Sequence, residues 1–271
     1  MVNVTLGDKT YTGVAAVKTD TPEGGTVEFA PYEETFAAGK AEGIAEGVKA
    51  EYDRFWDIYQ RNGTRKDYRY AFAGNEAWND DLFQPKYDIV LGPGQTGSSM
   101  FYGCRVKNLT EALEKSGVKL DTTLCTYLGS FFLSALMVRI PEINCTNAPA
   151  GGSSTLGHAF AYSTIETIDR LVVVEQLKYD NTFTGCDQLK NIIFDGVIGE
   201  NISFQWSPLS GESIGSVVSH LSDSAAGKTV TFKLSAVNSA FETAEGAADG
   251  SASEAWAALI ATKSNWTISC V

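Results

Sequence analysis

Polar chemistry at neutral pH usually needs an imidazole, an activated thiol, a metal or a pair of carboxylates, and this chain is sparing with all of them. It has two histidines, His158 and His220. Neither has a cysteine or aspartate at ligand spacing. His158 lies in a Gly/Ser loop ahead of Phe160, and His220 sits beside the apolar stripe of a predicted helix. A Ser-His-Asp triad is recognised by geometry rather than spacing, and no nucleophile elbow marks one here. Gly92-Pro-Gly94-Gln-Thr-Gly97 is glycine-rich, but no Gly-Lys-Ser/Thr follows and Pro93 interrupts it, so it is no phosphate loop. Asp80-Asp81 and Glu33-Glu34 lack an Asp-X-Asp-X-Asp-Gly frame for calcium and read as solvated carboxylates. The five cysteines are Cys104, Cys125, Cys145, Cys186 and Cys270. Their odd number and wide spacing suit neither a disulfide framework nor a zinc site. The expectation is a protein with no catalytic residue, no metal and no cofactor.

What remains is chemistry of contact. Tyr102, Tyr127, Tyr162 and Tyr179 are the candidate ligand-binding residues, because binding energy concentrates on Tyr, Trp and Arg. Each of the four can equally pack between neighbouring segments. They lie in or beside a recurring pattern: a phenylalanine, a small residue three positions on, then branched apolar residues. The copies begin at Phe101, Phe132, Phe160 and Phe183, with Cys104, Ala135, Ser163 and Cys186 as the small residues. Val106 and Leu109, Val138 and Ile140, Ile165 and Ile168, and Leu189 and Ile192 are the branched residues that follow. Phe72-Ala-Gly-Asn75 reads as a degenerate first copy. The intervals of 31, 28 and 23 residues between the four full copies predict stacked units, each too small to bury its own apolar face. In each unit the phenylalanine should point inward, the small residue should sit at a tight turn and the branched pair should line a short strand. A position that accepts Cys, Ala or Ser asks for a small buried group rather than a thiol. Such a stack makes a surface rather than a cleft.

The totals narrow the partners. A chain of 271 residues with a formal net charge of −12 lacks the basic footprint of a nucleic-acid binder and does not suit an anionic leaflet. No apolar run approaches a membrane span, and the start, Met1-Val-Asn-Val-Thr-Leu-Gly-Asp-Lys, has no apolar core of a signal peptide. Six Asn-X-Ser/Thr sequons, at Asn3, Asn62, Asn108, Asn144, Asn201 and Asn265, are read as incidental on that ground.

The fold class expected is α+β, in five parts. Residues 1–30 read as a small β-unit: a strand bearing Val2, Val4 and Leu6, a second from Thr10 to Val17, and a third from Thr26 to Phe29. Residues 31–62 read as a helix, in which Ala38, Ala41, Ala45, Val48, Tyr52, Phe55 and Tyr59 fall at alternating three- and four-residue steps. That is a coiled-coil seam and the candidate oligomerisation surface. Gly39, Gly43 and Gly47 beside it suggest close backbone approach. A homo-oligomer follows, with a trimer favoured; packing of the helix on its own domain is the alternative. Residues 63–98 are irregular, aromatic-rich and expected to cap the stack; 99–206 are the stacked units, with a short helix at 111–118 and a Gly/Ser loop at 147–155. Residues 207–271 are an α/β C-terminal cap. In the cap a helix should follow Ser210-Gly-Glu-Ser213, then a strand at 229–234, a helix at 253–263 and a last strand at 266–270.

These repeats resemble the BspA-type leucine-rich repeat, in which a Phe-X-X-Cys/Ser/Ala turn precedes a Leu-X-X-Ile strand. The segments Glu51-Tyr-Asp-Arg-Phe-Trp-Asp-Ile-Tyr-Gln60, Tyr70-Ala-Phe-Ala-Gly-Asn75 and Pro85-Lys-Tyr-Asp-Ile89, and the ending with Lys263-Ser-Asn-Trp266, are similar to those accompanying such repeats in tailed phages and prophages of gut Firmicutes. The resemblance covers most of residues 45–271. It implies a short solenoid and a non-enzymatic virion protein (tail fibre, tail tip or baseplate) that presents an adhesion surface. Its partner would be a host-cell glycan or protein, other virion proteins, or both. A purely structural virion subunit and a bacterial cell-surface adhesin are the alternatives. Synthesis in the bacterial cytoplasm without a signal peptide suits a virion protein, which leaves by lysis. The units are few and unequal, and residues 110–130 insert between copies, which departs from a regular solenoid.

Overall fold

A computed structural model of the chain describes residues 68, 69, 71–73, 80, 83–147, 155–242 and 253–271 in full, and 3–6 and 9–12 as backbone. The chain divides into two compact units, Met1–Tyr52 and Asp53–Val271. In the first unit, strands β1 (Asn3–Leu6) and β2 (Lys9–Thr12) pair antiparallel, Asn3 opposite Thr12. The second strand therefore starts one residue before the expected Thr10. The strand expected at 26–29 and the 31–62 helix, with its whole seam from Ala38 to Tyr59, lie outside the described residues.

The second unit is mixed helix and strand, and its described sheets are small and parallel. β3 (Ile89–Val90) pairs with β4 (Leu120–Asp121). β5 (Arg139–Ile140) and β6 (Ile143–Asn144), separated by Pro141 and Glu142, lie along β7 (Thr167–Val173), which pairs in turn with β8 (Asn191–Gly196). Their registers carry Asn108 to Arg139, Arg139 to Thr167 and Thr167 to Asn191. Those steps match the phenylalanine intervals to within a residue, so the spacing read from the sequence is a spacing between neighbours in space.

The phenylalanine segments themselves are not strands. Each is a double turn in which the residues two before and two after the phenylalanine are left-handed: Ser99 and Gly103, Ser130 and Ser134, His158 and Tyr162, Asn181 and Gly185. This alternation sorts the amide hydrogens into two sets. One set closes turns within its own segment. There the N–H of the small residue donates to its own phenylalanine carbonyl, at 3.0 Å for Cys104 and Ala135 and 3.2 Å for Ser163 and Cys186. The other set points to the next segment: Ser99, Phe101 and Gly103 donate to the carbonyls of Gly129, Phe131 and Leu133. The same three positions recur from Ser130, Phe132 and Ser134 to 157–161, and from His158, Phe160 and Tyr162 to 180–184. A buried non-strand segment must find partners for its N–H groups, and this arrangement supplies them at the first three of the four turns.

Inside the turns the phenylalanine rings form a column. Phe72, Phe101, Phe132, Phe160, Phe183, Phe204 and Phe232 stack in order, with centroids 4.6 to 6.2 Å apart and planes within 29° of parallel. Offset stacking of this kind adds to the area each ring buries. Phe83 meets the first ring edge-on at 82°, and Trp256 meets the last at 82°. The inward phenylalanines and the tight turns at Cys104, Ala135, Ser163 and Cys186 are as expected. Of the branched pairs, however, only the second members Ile140, Ile168 and Ile192 lie in strands; Val138, Ile165 and Leu189 precede them, Val138 being exposed, and in the first copy Leu109 opens a helix, α1 (Leu109–Ser116), instead of lining a strand. Asn108 accepts the Glu111 amide as its N-cap, and the branched residues Val106 and Leu109 are buried nonetheless.

The C-terminal part keeps the column and changes the backbone. β9 (Ile202–Phe204), β10 (Lys228–Phe232) and β11 (Trp266–Cys270) form a parallel sheet with β10 in the centre. Between them lie α2 (Gly211–Ser219), capped by Ser210, α3 (Leu234–Ala240), which sequence periodicity did not reveal, and α4 (Glu254–Ala261), capped by Ser253. α2 closes the open edge of β8. The Ile192 N–H donates to Ser213 Oγ and the Phe194 N–H to Ser216 Oγ, both at 2.9 Å, so two serines three residues apart stand where a further strand would.

Candidate binding surface

Both histidines have conformational employment. His158 fills the left-handed position two before Phe160, where the other turns use Ser99, Ser130 and Asn181; histidine is among the few non-glycine residues enriched there. His220 terminates α2, with Nδ1 2.7 Å from the Ser216 carbonyl. That carbonyl requires the proton on Nδ1, so the imidazole presents no base to Ser219 Oγ 3.2 Å away. The four cysteines in the stack are buried and form no disulfide with one another. Burial pushes the Cys104 and Cys186 thiols up to about 12 and raises Cys125 and Cys145 as well, the opposite of an activated nucleophile. No group of three or more His, Cys, Asp or Glu that could hold a metal ion occurs among the described residues.

The four tyrosines separate. Tyr102 and Tyr127 are exposed, and Tyr162 is the most exposed of the set at 61%. Tyr179 is 6% exposed, its hydroxyl has no hydrogen-bond partner among the described residues, and burial raises its pKa. It belongs to the packing of the fourth segment and is withdrawn from the candidate contact residues. Sequence reasoning missed two other exposed apolar side chains at the turns, Leu136 and Trp206. Trp206 was findable, because Phe204-Gln-Trp206-Ser207 is a further Phe-X-X-small copy. Ser207 is fully buried and its N–H closes onto the Phe204 carbonyl at 3.0 Å.

Tyr162 is built differently from its neighbours. It occupies the left-handed position two after the phenylalanine, φ 57°, where the other turns place Gly103, Ser134 and Gly185. A bulky side chain in that region is strained. Its ring lies over Gly185 of the next turn: a Cβ on Gly185 would fall 2.5 Å from the ring. Beside it, the ladder of amide donors stops. The N–H groups of Asn181, Phe183 and Gly185 have no hydrogen-bond partner among the described residues. The next ring in the column, Phe204, comes from β9, which pairs with β10.

Elsewhere the surface is self-satisfied. Arg170 bridges Glu142 and Asp195, Arg139 meets Asp169 at 2.7 Å, and Lys190 meets Glu166 at 3.5 Å across the outer face of β5–β8. The ending Lys263-Ser-Asn-Trp266 is a clamp on the loop after α2. Lys263, only 8% exposed, donates to the Leu221 carbonyl and Asp223 at 2.6 Å, Asn265 reaches three loop carbonyls, and the Trp266 indole donates to Ser222. The sequon side chains of Asn108 and Asn144 serve local hydrogen bonds, and those of Asn201 and Asn265 bond to the Thr229 N–H and the Ser222 carbonyl. A groove of about 980 Å³ lies beside α1, lined in part by Asp80, Lys86, Lys107, Glu111 and Lys115; its charges are of both signs. A second, of about 530 Å³, lies between the start of α2 and α3. No helix among the described residues is long and apolar enough to cross a membrane. No family model matches the chain, and no curated protein or solved structure matches it.

Proposed function

We propose that the chain is a non-enzymatic recognition protein of a tailed-phage virion, carried in the tail fibre, tail tip or baseplate. In this reading residues 99–206 are a short leucine-rich-repeat-like solenoid that presents a surface to the host cell, and residues 31–62 assemble the chain into a trimer. The observation that supports it is the column of one phenylalanine per turn, each turn closed by a small buried residue. That is the property on which the resemblance to BspA-type repeats depends. The exposed side chains Tyr102, Leu136, Tyr162 and Trp206 add apolar contact area at the turns.

Two measurements test the reading. Fluorescently labelled full-length protein is mixed with intact Firmicute cells, and bound fluorescence is counted against unlabelled competitor. Saturable, competed attachment to a subset of strains is expected. Attachment to none, together with capture of other virion proteins, turns the reading toward a structural subunit. Light scattering on the full chain should give three times the chain mass. A monomer removes the assembly role of residues 31–62 and leaves the recognition surface to be judged on cell attachment alone.

A further inference from the structure

The loop after α2, Leu221–Ala225, is held from two sides by different chemistry. From the C-terminal side, Lys263, Asn265 and Trp266 donate to its carbonyls. From the turn stack comes a carboxylate. Glu175, two residues past the end of β7, accepts the hydroxyls of Ser222 at 2.5 Å and Ser224 at 2.6 Å on one oxygen, Oε1. Ser222 is 3% exposed, and its Oγ accepts the N–H groups of Ser224 at 3.1 Å and Ala225 at 3.2 Å. The carboxylate thus fixes the Ser222 hydroxyl proton and leaves that oxygen's lone pairs to the two amides. The Glu175 stem is placed as well: a Cβ on Gly199 would fall 2.4 Å from its Cγ. Other charged groups around the joint have their own bonds. Asp223, between the two serines, turns outward to Lys263 at 2.6 Å, and Glu200, next to Gly199, pairs with Lys228 at 2.6 Å. His220 is bound to the Ser216 carbonyl, and Lys178 lies three residues on from Glu175 along its own segment.

We propose that Glu175 is an acid-sensitive latch: ionised, it holds the loop after α2 to the turn stack; protonated, it releases that side of the loop while the C-terminal donors keep theirs. A hydroxyl donates more strongly to a carboxylate than to a carboxylic acid, because the first bond is charge-assisted. The two hydroxyls, Ser222 ahead of Ser224, hold the Glu175 carboxyl below its ordinary value of 4.5. A carboxyl lowered in this way contributes fully above that value, and its contribution is lost as the pH falls below it. The donors on the other side are an ammonium, a carboxamide and an indole, none of which changes protonation between about pH 3 and 7. The device does not depend on what the outer surface of the stack binds.

The test is amide hydrogen exchange of the full chain, read by NMR as protection factors at pH 6 and pH 3.5. Protection at Ser224 and Ala225 should fall about threefold or more on acidification. Ile192 and Phe194, whose amides are bonded to serines of α2, should not change, and the Trp266 indole N–H should keep its protection. Glu175→Gln keeps an acceptor for both hydroxyls without the charge, so Ser224 and Ala225 should show the acid-form protection at both pH values. Asp223→Asn should leave the pH response of the parent in place. Equal protection of the parent at the two pH values overturns the proposal. A response that survives in Glu175→Gln, or that vanishes in Asp223→Asn, overturns it as well, because another group is then the one that titrates. A parallel loss at Ile192 and Phe194 also overturns it, since that marks acid unfolding of the stack rather than release of one loop.

Discussion

The fourth phenylalanine segment has two edges, and they end in opposite ways. Along its strand, β8, the outward amides of Ile192 and Phe194 are taken by Ser213 and Ser216 of α2. Along its turn, the outward amides of Asn181, Phe183 and Gly185 are taken by nothing among the described residues. One segment therefore carries a finished edge and an unfinished edge about a dozen residues apart. The difference shows that the strand side is closed by side-chain chemistry, whereas on the turn side the rings continue from Phe183 to Phe204 and Phe232, and the Phe204 turn closes on itself, without amide bonds from the fourth turn to it among the described residues.

The strongest way to break this comparison is to remove what both edges share. Phe183 is fully buried between two stacked rings, and Phe183→Ala should lower stability by about 3–5 kcal/mol, read from urea unfolding followed by tryptophan fluorescence. A loss below about 1 kcal/mol would mean that the column is not the core. Next, the finished edge can be opened. Ser213→Ala with Ser216→Ala orphans the two outward amides and should cost about 2–4 kcal/mol, with faster hydrogen exchange at Ile192 and Phe194. Unchanged exchange there would show that the serines are not the terminators. On the unfinished edge, Gly185→Ala adds a Cβ at φ 68° against the Tyr162 ring and should cost about 1–2 kcal/mol. In a Tyr162→Gly background the penalty should shrink, because the ring is gone; an undiminished penalty would assign it to backbone strain alone.

The smallest effect concerns the thiols that close the turns. Cys186 lies in the segment with the open edge and Cys104 in a turn whose donors are all used. Both are raised by burial from 9.0 to about 12, so their contribution is complete below pH 9 and is lost as pH rises toward 12. Cys104→Ala or Cys186→Ala should each flatten the alkaline decline by about 1 kcal/mol at pH 10, measured by thermal unfolding across pH 8–10. Equal flattening is expected, because the two thiols are equally buried. An earlier decline traceable to Cys186 alone would mean that the unfinished edge loosens its turn.

Much of this arrangement could be read from residue spacing, because stacking forces like residues into like places. The phenylalanine intervals reappear as strand registers, and Cys, Ala and Ser at one position announced a turn too tight for a larger group. The caps Ser210 and Ser253 were legible because a side-chain acceptor ahead of an apolar stripe has few other uses. What could not be read depends on backbone sign. The left-handed positions two before each phenylalanine hold Ser, Ser, His and Asn, a set with no common side-chain property beyond tolerance of that conformation. α3 spans seven residues, Leu-Ser-Ala-Val-Asn-Ser-Ala, too few to show a helical period, and buries only Ala236 and Val237. Tyr179 and Tyr162 are alike as letters. Whether a tyrosine faces inward or outward is settled by its place relative to the phenylalanine, four before for the first and two after for the second.

The edge-on rings of Phe83 and Trp256 have a bearing on how such a chain changes length. Among the described residues the column runs from Phe72, met edge-on by Phe83, to Phe232, met edge-on by Trp256, and neither contact depends on how many rings lie between. Within that span each ring is held by its two neighbours alone, so gain or loss of one stretch from a phenylalanine to the next would leave both of these contacts as they are.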